Sequence, residues 1–389
     1  MHNQIERIKV LVAGISSLIL MLGIARFAYT PLLPIMQQQA NLGISEAGWL
    51  AGINYIGYFC GAVIASFIGN LIIKDKLYRL GLLIAVLTTI MMGLTDNIWL
   101  WSISRFFAGL SSAAGLLLGS GLIMNWLIKN GHKTELGIHF SGLGFGIVVA
   151  ALAVELMYDY FNWQEMWIIL SILGVFLLIP AWLWLPVPNN NKVTNTGSPI
   201  NDNPPDKSFM TLFMLAYFCA GIGYVISATF IVAIVDGLPG LSGNGTLSFL
   251  VLGLAAAPAC ILFDFIARRI GIINSLILAY LLKIVAIIIP AMTTNLLLIM
   301  LSTILFGMTF LGIVSLVLTM AGRFYPSSPA KLMGKMTIAY GLAQICAPIF
   351  TGYLTEQSGN YNDGLYFATL MMCIGTILLL LLKYKNQAS

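Results

Sequence analysis

Charge is what this sequence has least of. Asp, Glu, Lys and Arg together make up 8% of its 389 residues, against roughly a quarter in an average soluble domain. A water-soluble core of this size needs polar residues over its whole surface, so water is excluded as the solvent for most of the chain. Histidine is nearly absent, and His2, His132 and His139 are not clustered with acids at ligand spacing. No His-Glu-x-x-His pair, no Gly-x-Ser-x-Gly elbow and no glycine-rich loop ending in Lys-Ser/Thr occurs. The chemistry that needs those sets is therefore not expected: no enzyme, no metal, no cofactor, no ATP drive by this polypeptide, and no nucleic-acid partner. Cys60, Cys219, Cys260, Cys346 and Cys373 show no close spacing for zinc or a disulfide framework and read as small buried hydrophobes.

What the chain has instead is 59% hydrophobic residues, arranged in runs long enough to cross about 30 Å of hydrocarbon. Counting them gives twelve, near 9–35, 46–70, 78–95, 98–127, 136–157, 164–186, 209–235, 246–267, 271–290, 295–320, 335–355 and 363–383. Lipid satisfies no backbone groups, and the alternating polarity of a closed barrel is missing, so these are predicted to be helices. The apolar run after Lys9 is longer than a signal-peptide core and is read as a retained first span.

Loop charge tests the count independently, because cytoplasmic loops collect Lys and Arg. Sixteen of the 19 fall at the N-terminus (Arg7, Lys9), in alternate connections (Lys74, Lys76, Arg79; Lys129, Lys133; Lys192, Lys207; Arg268, Arg269; Arg323, Lys331, Lys335) and at the C-terminus (Lys383, Lys385). The opposite connections carry Glu46, Asp96, Asp159, Glu165, Asp236, Glu356 and Asp363. Both termini are thus expected in the cytoplasm of a bacterium, with the chain in its inner membrane. All eight tryptophans sit close to the ends of expected spans, where an amphipathic ring is comfortable.

The long polar stretch Pro188–Ser208 cannot fold on its own and reads as a cytoplasmic linker. It separates an N-terminal six-helix bundle, 1–187, from a C-terminal one, 209–389. The halves look duplicated: Gly23 in span 1 precedes Gly221 in span 7 by 198 residues, and the same offset relates Gly109 to Gly307. An offset of 197 pairs Gly137 and Gly144 with Gly334 and Gly341. Together these matches suggest a repeated six-helix unit.

Twelve spans, a 6+6 duplication and a central linker resemble the major facilitator superfamily over essentially the whole chain. Arg105-Phe-Phe-Ala-Gly109, followed by Ser111, Ala113 and Gly115, is similar to that family's span-4 signature. Gly23-Ile-Ala-Arg26-Phe-Ala-Tyr29-Thr-Pro31-Leu-Leu-Pro34, with Asn54-Tyr55-Ile56-Gly57-Tyr58, is similar to its YbfB-like branch. The resemblance implies an all-α membrane protein of two pseudo-symmetric bundles that moves a small solute by rocking them, driven by protons and acting as a monomer. It implies for Arg105 a part in substrate binding or proton coupling. The loop signature between spans 2 and 3 survives as Gly69 to Gly81 with Asp75 and Arg79; its counterpart after span 8 has arginine where the acid is expected, with Asp264 one turn before Arg268. These four are the gating candidates. The span-5 signature of drug antiporters is incomplete, with Gly142, Gly144 and Gly146 but no proline.

Ionisable groups in hydrocarbon are costly and normally face a wet or protein interior. Arg26, Arg105, Glu155 and Lys283 are the cases here. Arg26 and Tyr29, three residues apart, are expected to converge on an anionic or hydroxylated solute; the alternative is a cation bonded to carbonyls of a neighbouring helix. Glu155 is a proton acceptor if buried and a snorkelling interface residue if not. Lys283, on a span usually peripheral in this architecture, reads as structural. Asn54, Tyr58, Tyr217, Tyr224, Tyr340 and Gln344 supply hydrogen bonds and aromatic walls for a partly apolar solute. Pro31, Pro34, Pro258 and Pro348 permit kinks. The surplus of intramembrane cations over carboxylates points to an organic anion or zwitterion. Export of a sugar-like or drug-like compound, and a non-transporting sensor on the same scaffold, are the alternatives.

Overall fold

In hydrocarbon each crossing segment must satisfy its own backbone hydrogen bonds, which a helix does within one segment. The computed structural model describes residues 2–134, 136–190, 193–194, 199–241, 244–358 and 362–388; among these, the side chains of 2–3, 44–45, 229–234, 236–237, 246, 348–349, 351–358 and 386–388 are outside the description. The described chain is all-helical apart from an isolated bridge between Val193 and Pro199. In order come α1 (His2–Leu18), a π-helical segment (Ile19–Phe27), α2 (Tyr29–Gln39), α3 (Ile44–Phe67), α4 (Leu71–Leu94) and α5 (Ile98–Ala113). A second π-helical segment (Ala114–Gly119) leads to α6 (Ser120–Lys129), α7 (Gly137–Met157) and α8 (Trp163–Leu183). The remainder is α9 (Lys207–Gly237), α10 (Gly245–Ile270), α11 (Ile272–Met292), α12 (Leu296–Phe324), α13 (Pro329–Ser358) and α14 (Asn362–Ala388).

Eleven stretches among the described residues are long and apolar enough to cross a membrane. Two of them, Gln4–Gln39 and Ile98–Lys129, run straight through the π-helical segments. The span expected near 335–355 lies on α13, where part of the side chains, Pro348 included, fall outside the described residues; so do Lys192 and the side chains of Asp236 and Glu356.

The chain forms two compact units, Met1–Asn203 with Ala321–Lys335, and Pro204–Met320 with Met336–Ser389. In the first, α3 lies along α5, α4 packs on α5 and α8, and α7 lies along α1 and the first π-helical segment. Glycine permits the closest of these approaches. A Cβ on Gly109 would run into the Asn54 carbonyl oxygen, and one on Gly146 would stand 2.8 Å from the Cα of Gly23. A buried apolar cluster built around Tyr29, Trp101, Trp163 and Trp167 joins α2 to α5 and α8.

Three expectations are corrected here. Helix α4 starts at Leu71, well before 78, because the Asn70 side chain accepts hydrogen bonds from the N–H groups of Ile72 (2.9 Å) and Ile73 (3.3 Å). Lys74, Asp75, Lys76 and Arg79 are therefore helical, not in a loop. Trp101, Trp163 and Trp167 lie near helix ends but are buried, Trp101 edge-on to Trp163 with ring centroids 5.5 Å apart, so they are core residues and not interfacial ones. Cys219 and Cys260 are buried, but Cys346 is exposed.

In the second unit α9 packs on α14 and α10, and α11 on α14 and α10. The Tyr280 hydroxyl donates to the Ala216 carbonyl at 2.8 Å, tying α11 to α9. A Cβ on Gly221 would stand 2.9 Å from the Tyr340 carbonyl oxygen, so α9 and α13 touch backbone to backbone there.

Candidate functional site

The site in the first unit begins with a change of helical pitch. Between Ile19 and Phe27 the chain hydrogen-bonds five residues back, as in Ala28 N–H to Gly23 O at 2.9 Å. A π-turn re-aims the side chains that follow it and leaves carbonyls poorly paired within the helix. Both consequences are visible. Arg26 and Tyr29, expected to converge, part company. Arg26, 6% exposed, turns toward α3, its guanidinium carbon 4.4 Å from the Tyr58 ring centroid, 5.1 Å from Tyr55 and 5.5 Å from Phe27. Among the described residues it has no carboxylate and no hydrogen-bond partner.

Tyr29 instead faces Arg105, whose guanidinium carbon is 4.4 Å from its ring centroid, and its hydroxyl donates to Ala47 O at 3.0 Å. Arg105, 3% exposed, donates from Nη1 to the carbonyls of Ala25 (3.2 Å) and Arg26 (3.4 Å), and from Nε to that of Leu50 (3.5 Å). The bonding to neighbouring backbone envisaged for Arg26 is thus made by Arg105. Asn54 completes the frame, donating from Nδ2 to the Arg105 carbonyl at 2.8 Å. Two guanidiniums in one cluster, surrounded by rings and carbonyls and touched by no acid among the described residues, make an anion-seeking environment.

The second unit carries an aromatic ladder. Tyr217 and Tyr340 stack with centroids 4.6 Å apart, Tyr340 lies 5.8 Å from Tyr224, and Tyr224 stacks on Phe310 at 4.2 Å. Lys283, 1% exposed, ends the ladder, its ammonium 4.4 Å from the Phe306 centroid, 5.6 Å from Phe310 and 5.8 Å from Tyr224. Gln344, one turn beyond Tyr340, is buried with its Oε1 unpartnered among the described residues. Lys283 is thus joined to the tyrosines that the sequence singled out. Phe306, Phe310 and Tyr55 were missed; the i, i+4 spacing of the two phenylalanines was the available signal.

Other candidates stand apart. Glu155 is exposed in the last turn of α7. Arg79 Nε bonds Asp75 Oδ2 at 3.0 Å, and its other nitrogens donate to the carbonyls of Trp182 and Leu185, pinning α4 to the end of α8. Asp264 is buried in α10, one turn before the exposed Arg268.

Comparison with known proteins agrees with this architecture. The sequence profile of the family described as "Uncharacterised MFS-type transporter YbfB" matches residues 18–380. YceJ of Bacillus subtilis, an uncharacterized MFS-type transporter, is 23% identical over 279 residues, 67% of either chain. The uncharacterized transporter mfc1 of Schizosaccharomyces pombe is 29% identical over 130 residues, 33% of this chain and 26% of that protein. The benzoate transport protein of Acinetobacter baylyi is 27% identical over 168 residues, 41% of this chain and 35% of that one. The chain therefore spans about a quarter of mfc1 and about a third of the benzoate protein. These relatives are transporters, not enzymes. With the profile covering nearly its whole length and many apolar helices to carry it through a membrane, this chain belongs to the family of MFS-type transporters that YbfB typifies.

Proposed function

We propose that the chain is a secondary transporter that carries a small carboxylate-bearing organic solute by alternating access, with twelve spans in two six-helix bundles, in a bacterial inner membrane. The observation that carries the reading is Arg26, a buried cation faced by three aromatic rings and met by no carboxylate among the described residues. An uncompensated guanidinium away from water is costly, and a carboxylate arriving with the solute removes that cost. The ladder of the second unit offers flat apolar surface of the kind an aromatic acid stacks on. Similarity to a protein named for benzoate transport supports the same class.

In this reading Arg26 meets the solute, and Arg105 is the post that fixes the backbone bearing Arg26. Tyr58 supplies a ring beside Arg26; in the second unit, taken by itself, Gln344 offers an acceptor and Tyr217, Tyr224 and Tyr340 offer rings. Proton drive is proposed on the span-4 arginine resemblance, with Arg105 and Glu155 as the groups to substitute; Asp75, Arg79, Asp264 and Arg268 are the groups to substitute for gating.

Thermal unfolding of the purified protein with benzoate, amino acids, sugars and quaternary ammonium compounds tests the solute class, because a ligand of the native state raises its stability. Carboxylates are expected to stabilise the wild type and to lose that effect in Arg26→Ala. Stabilisation by cations alone rejects the reading. Uptake into proteoliposomes is expected to follow an imposed pH gradient, and a rate unchanged by collapsing the gradient rejects proton drive.

A second reading, export of a neutral sugar-like or drug-like compound, is favoured by the ladder taken alone, since stacked tyrosines bind uncharged rings. It predicts stabilisation by neutral aromatics that survives Arg26→Ala.

A further inference from the structure

Away from the arginine cluster, the first unit holds a crevice of about 350 Å³ walled by the start of α4, the end of α6, the linker and the loop between α12 and α13. Among the described residues, two lysines and one carboxylate govern its electrostatics. Lys331, in the first turn of α13, lines it and is exposed. Lys74 lies beneath, 0% exposed, its ammonium donating to Ser328 Oγ at 2.7 Å, and it stands near enough to Lys331 for the two charges to repel. Among the described residues neither lysine has a salt bridge. A buried ammonium answered by a hydroxyl alone is an uncompensated charge.

The carboxylate is Asp202 of the linker, and its oxygens are spent on other donors. Oδ1 accepts from the Ser327 N–H at 3.0 Å and Oδ2 from the Ser327 hydroxyl at 2.7 Å. The neighbouring Asn203 N–H donates to Phe324 O at 2.9 Å, so this stretch of linker is moored to the α12–α13 loop. A backbone N–H, a hydroxyl and nearby ammonium groups are the donor set by which proteins hold a free oxyanion. Asp202 occupies half of that set and leaves the lysines unmatched.

We propose that this crevice binds a small phosphate-bearing anion through Lys331, Ser327 and the Lys74–Ser328 pair, and that Asp202 is a tethered competitor whose displacement releases the linker. With Asp202 displaced, the two ammonium groups present two positive charges, which a dianion matches. The volume exceeds a bare phosphate and suits a phosphate joined to a small organic body. Because the competitor is attached, it acts at high effective concentration and sets a threshold below which the free anion does not compete.

The two charged residues chosen for substitution, Asp202 and Lys331, are exposed, so their replacement leaves the packing of the helices intact. Thermal unfolding of the full chain in detergent is followed with inorganic phosphate and glycerol 3-phosphate at constant ionic strength, with chloride as the reference. Phosphate is expected to stabilise the wild type more than chloride does. Asp202→Asn is expected to bind about tenfold more tightly, as a like charge leaves the site; Lys331→Ala loses the effect and Lys331→Arg keeps it. Phosphate acting no better than chloride in both wild type and Asp202→Asn overturns the proposal, as does weaker binding by Asp202→Asn. Repeating the titration in nanodiscs separates sources. An effect abolished by phosphatidylglycerol but not by phosphatidylcholine assigns the site to a lipid headgroup, and one equal in both assigns it to a soluble anion.

Discussion

Arg26 and Arg105 are chemically identical, close in space and both buried, yet their partners differ in kind. Arg105 donates to three backbone carbonyls belonging to two segments, Ala25 and Arg26 on one and Leu50 on the other. Replacing it by alanine strands those oxygens and is expected to cost stability on the order of 2–4 kcal/mol. Lysine, with a point charge and no planar fork, is expected to recover a minor part of that loss. Arg26→Ala strands nothing among the described residues, so its melting temperature without solute should stay near the wild-type value while solute binding is lost. Tyr58→Phe keeps the ring beneath the guanidinium and is expected to keep the cation–π contact. Tyr58→Leu removes a cation–π contact of about 1–2 kcal/mol, or about tenfold in affinity. Equal destabilisation by Arg26→Ala and Arg105→Ala would refute this division of labour. The sequence marks both arginines as out of place in an apolar helix, since any charge in hydrocarbon is conspicuous. It does not say which of them touches backbone, because that depends on where a π-turn sends the chain.

The π-turn belongs to the next scale. A period of 3.6 residues puts Arg26 and Tyr29 on one face, but the wider turn from Ile19 to Phe27 breaks that period between them. The apolar runs that reveal the spans carry no trace of this, since a π-turn and an α-turn of leucine and glycine read alike. Glycine spacing is more legible after the fact. Gly57 of α3 and Gly109 of α5 meet each other's helices at the Phe106 and Asn54 carbonyls, where no side chain fits. Gly109→Val is therefore expected to force α3 from α5, break the Asn54 bond to the Arg105 carbonyl and abolish folding, read as aggregation on size-exclusion chromatography. The same substitution at Gly69, beside which a Cβ meets nothing, is expected to be tolerated. Helix α4 teaches the complementary lesson. Its apolar run begins late, so hydropathy puts the start too far along, whereas the Asn70 cap puts it at Leu71 and draws Lys74 and Asp75 into a buried helix.

At the scale of the whole molecule, one helix suffices to test the orientation on which localisation rests. Helix α7 covers Gly137–Met157, 21 residues, or about 31 Å at 1.5 Å per residue, long enough for the segments flanking it to emerge on opposite membrane faces. Before it stands exposed Lys133, in a loop of the basic set, and after it exposed Asp159, in a loop of the acidic set. Lysine and arginine are retained on the cytoplasmic side during insertion, whereas acids exert little pull, so the orientation we propose puts Lys133 in the cytoplasm and Asp159 outside. In a background with the native cysteines replaced, Asp159→Cys is expected to react with a membrane-impermeant maleimide in intact cells. Lys133→Cys is expected to react after permeabilisation and not before. The reverse pattern inverts the whole topology, because the eleven apolar stretches among the described residues cannot turn over singly. Labelling of both positions from outside would mean that α7 does not cross, and the alternation of basic and acidic loops would lose its physical cause.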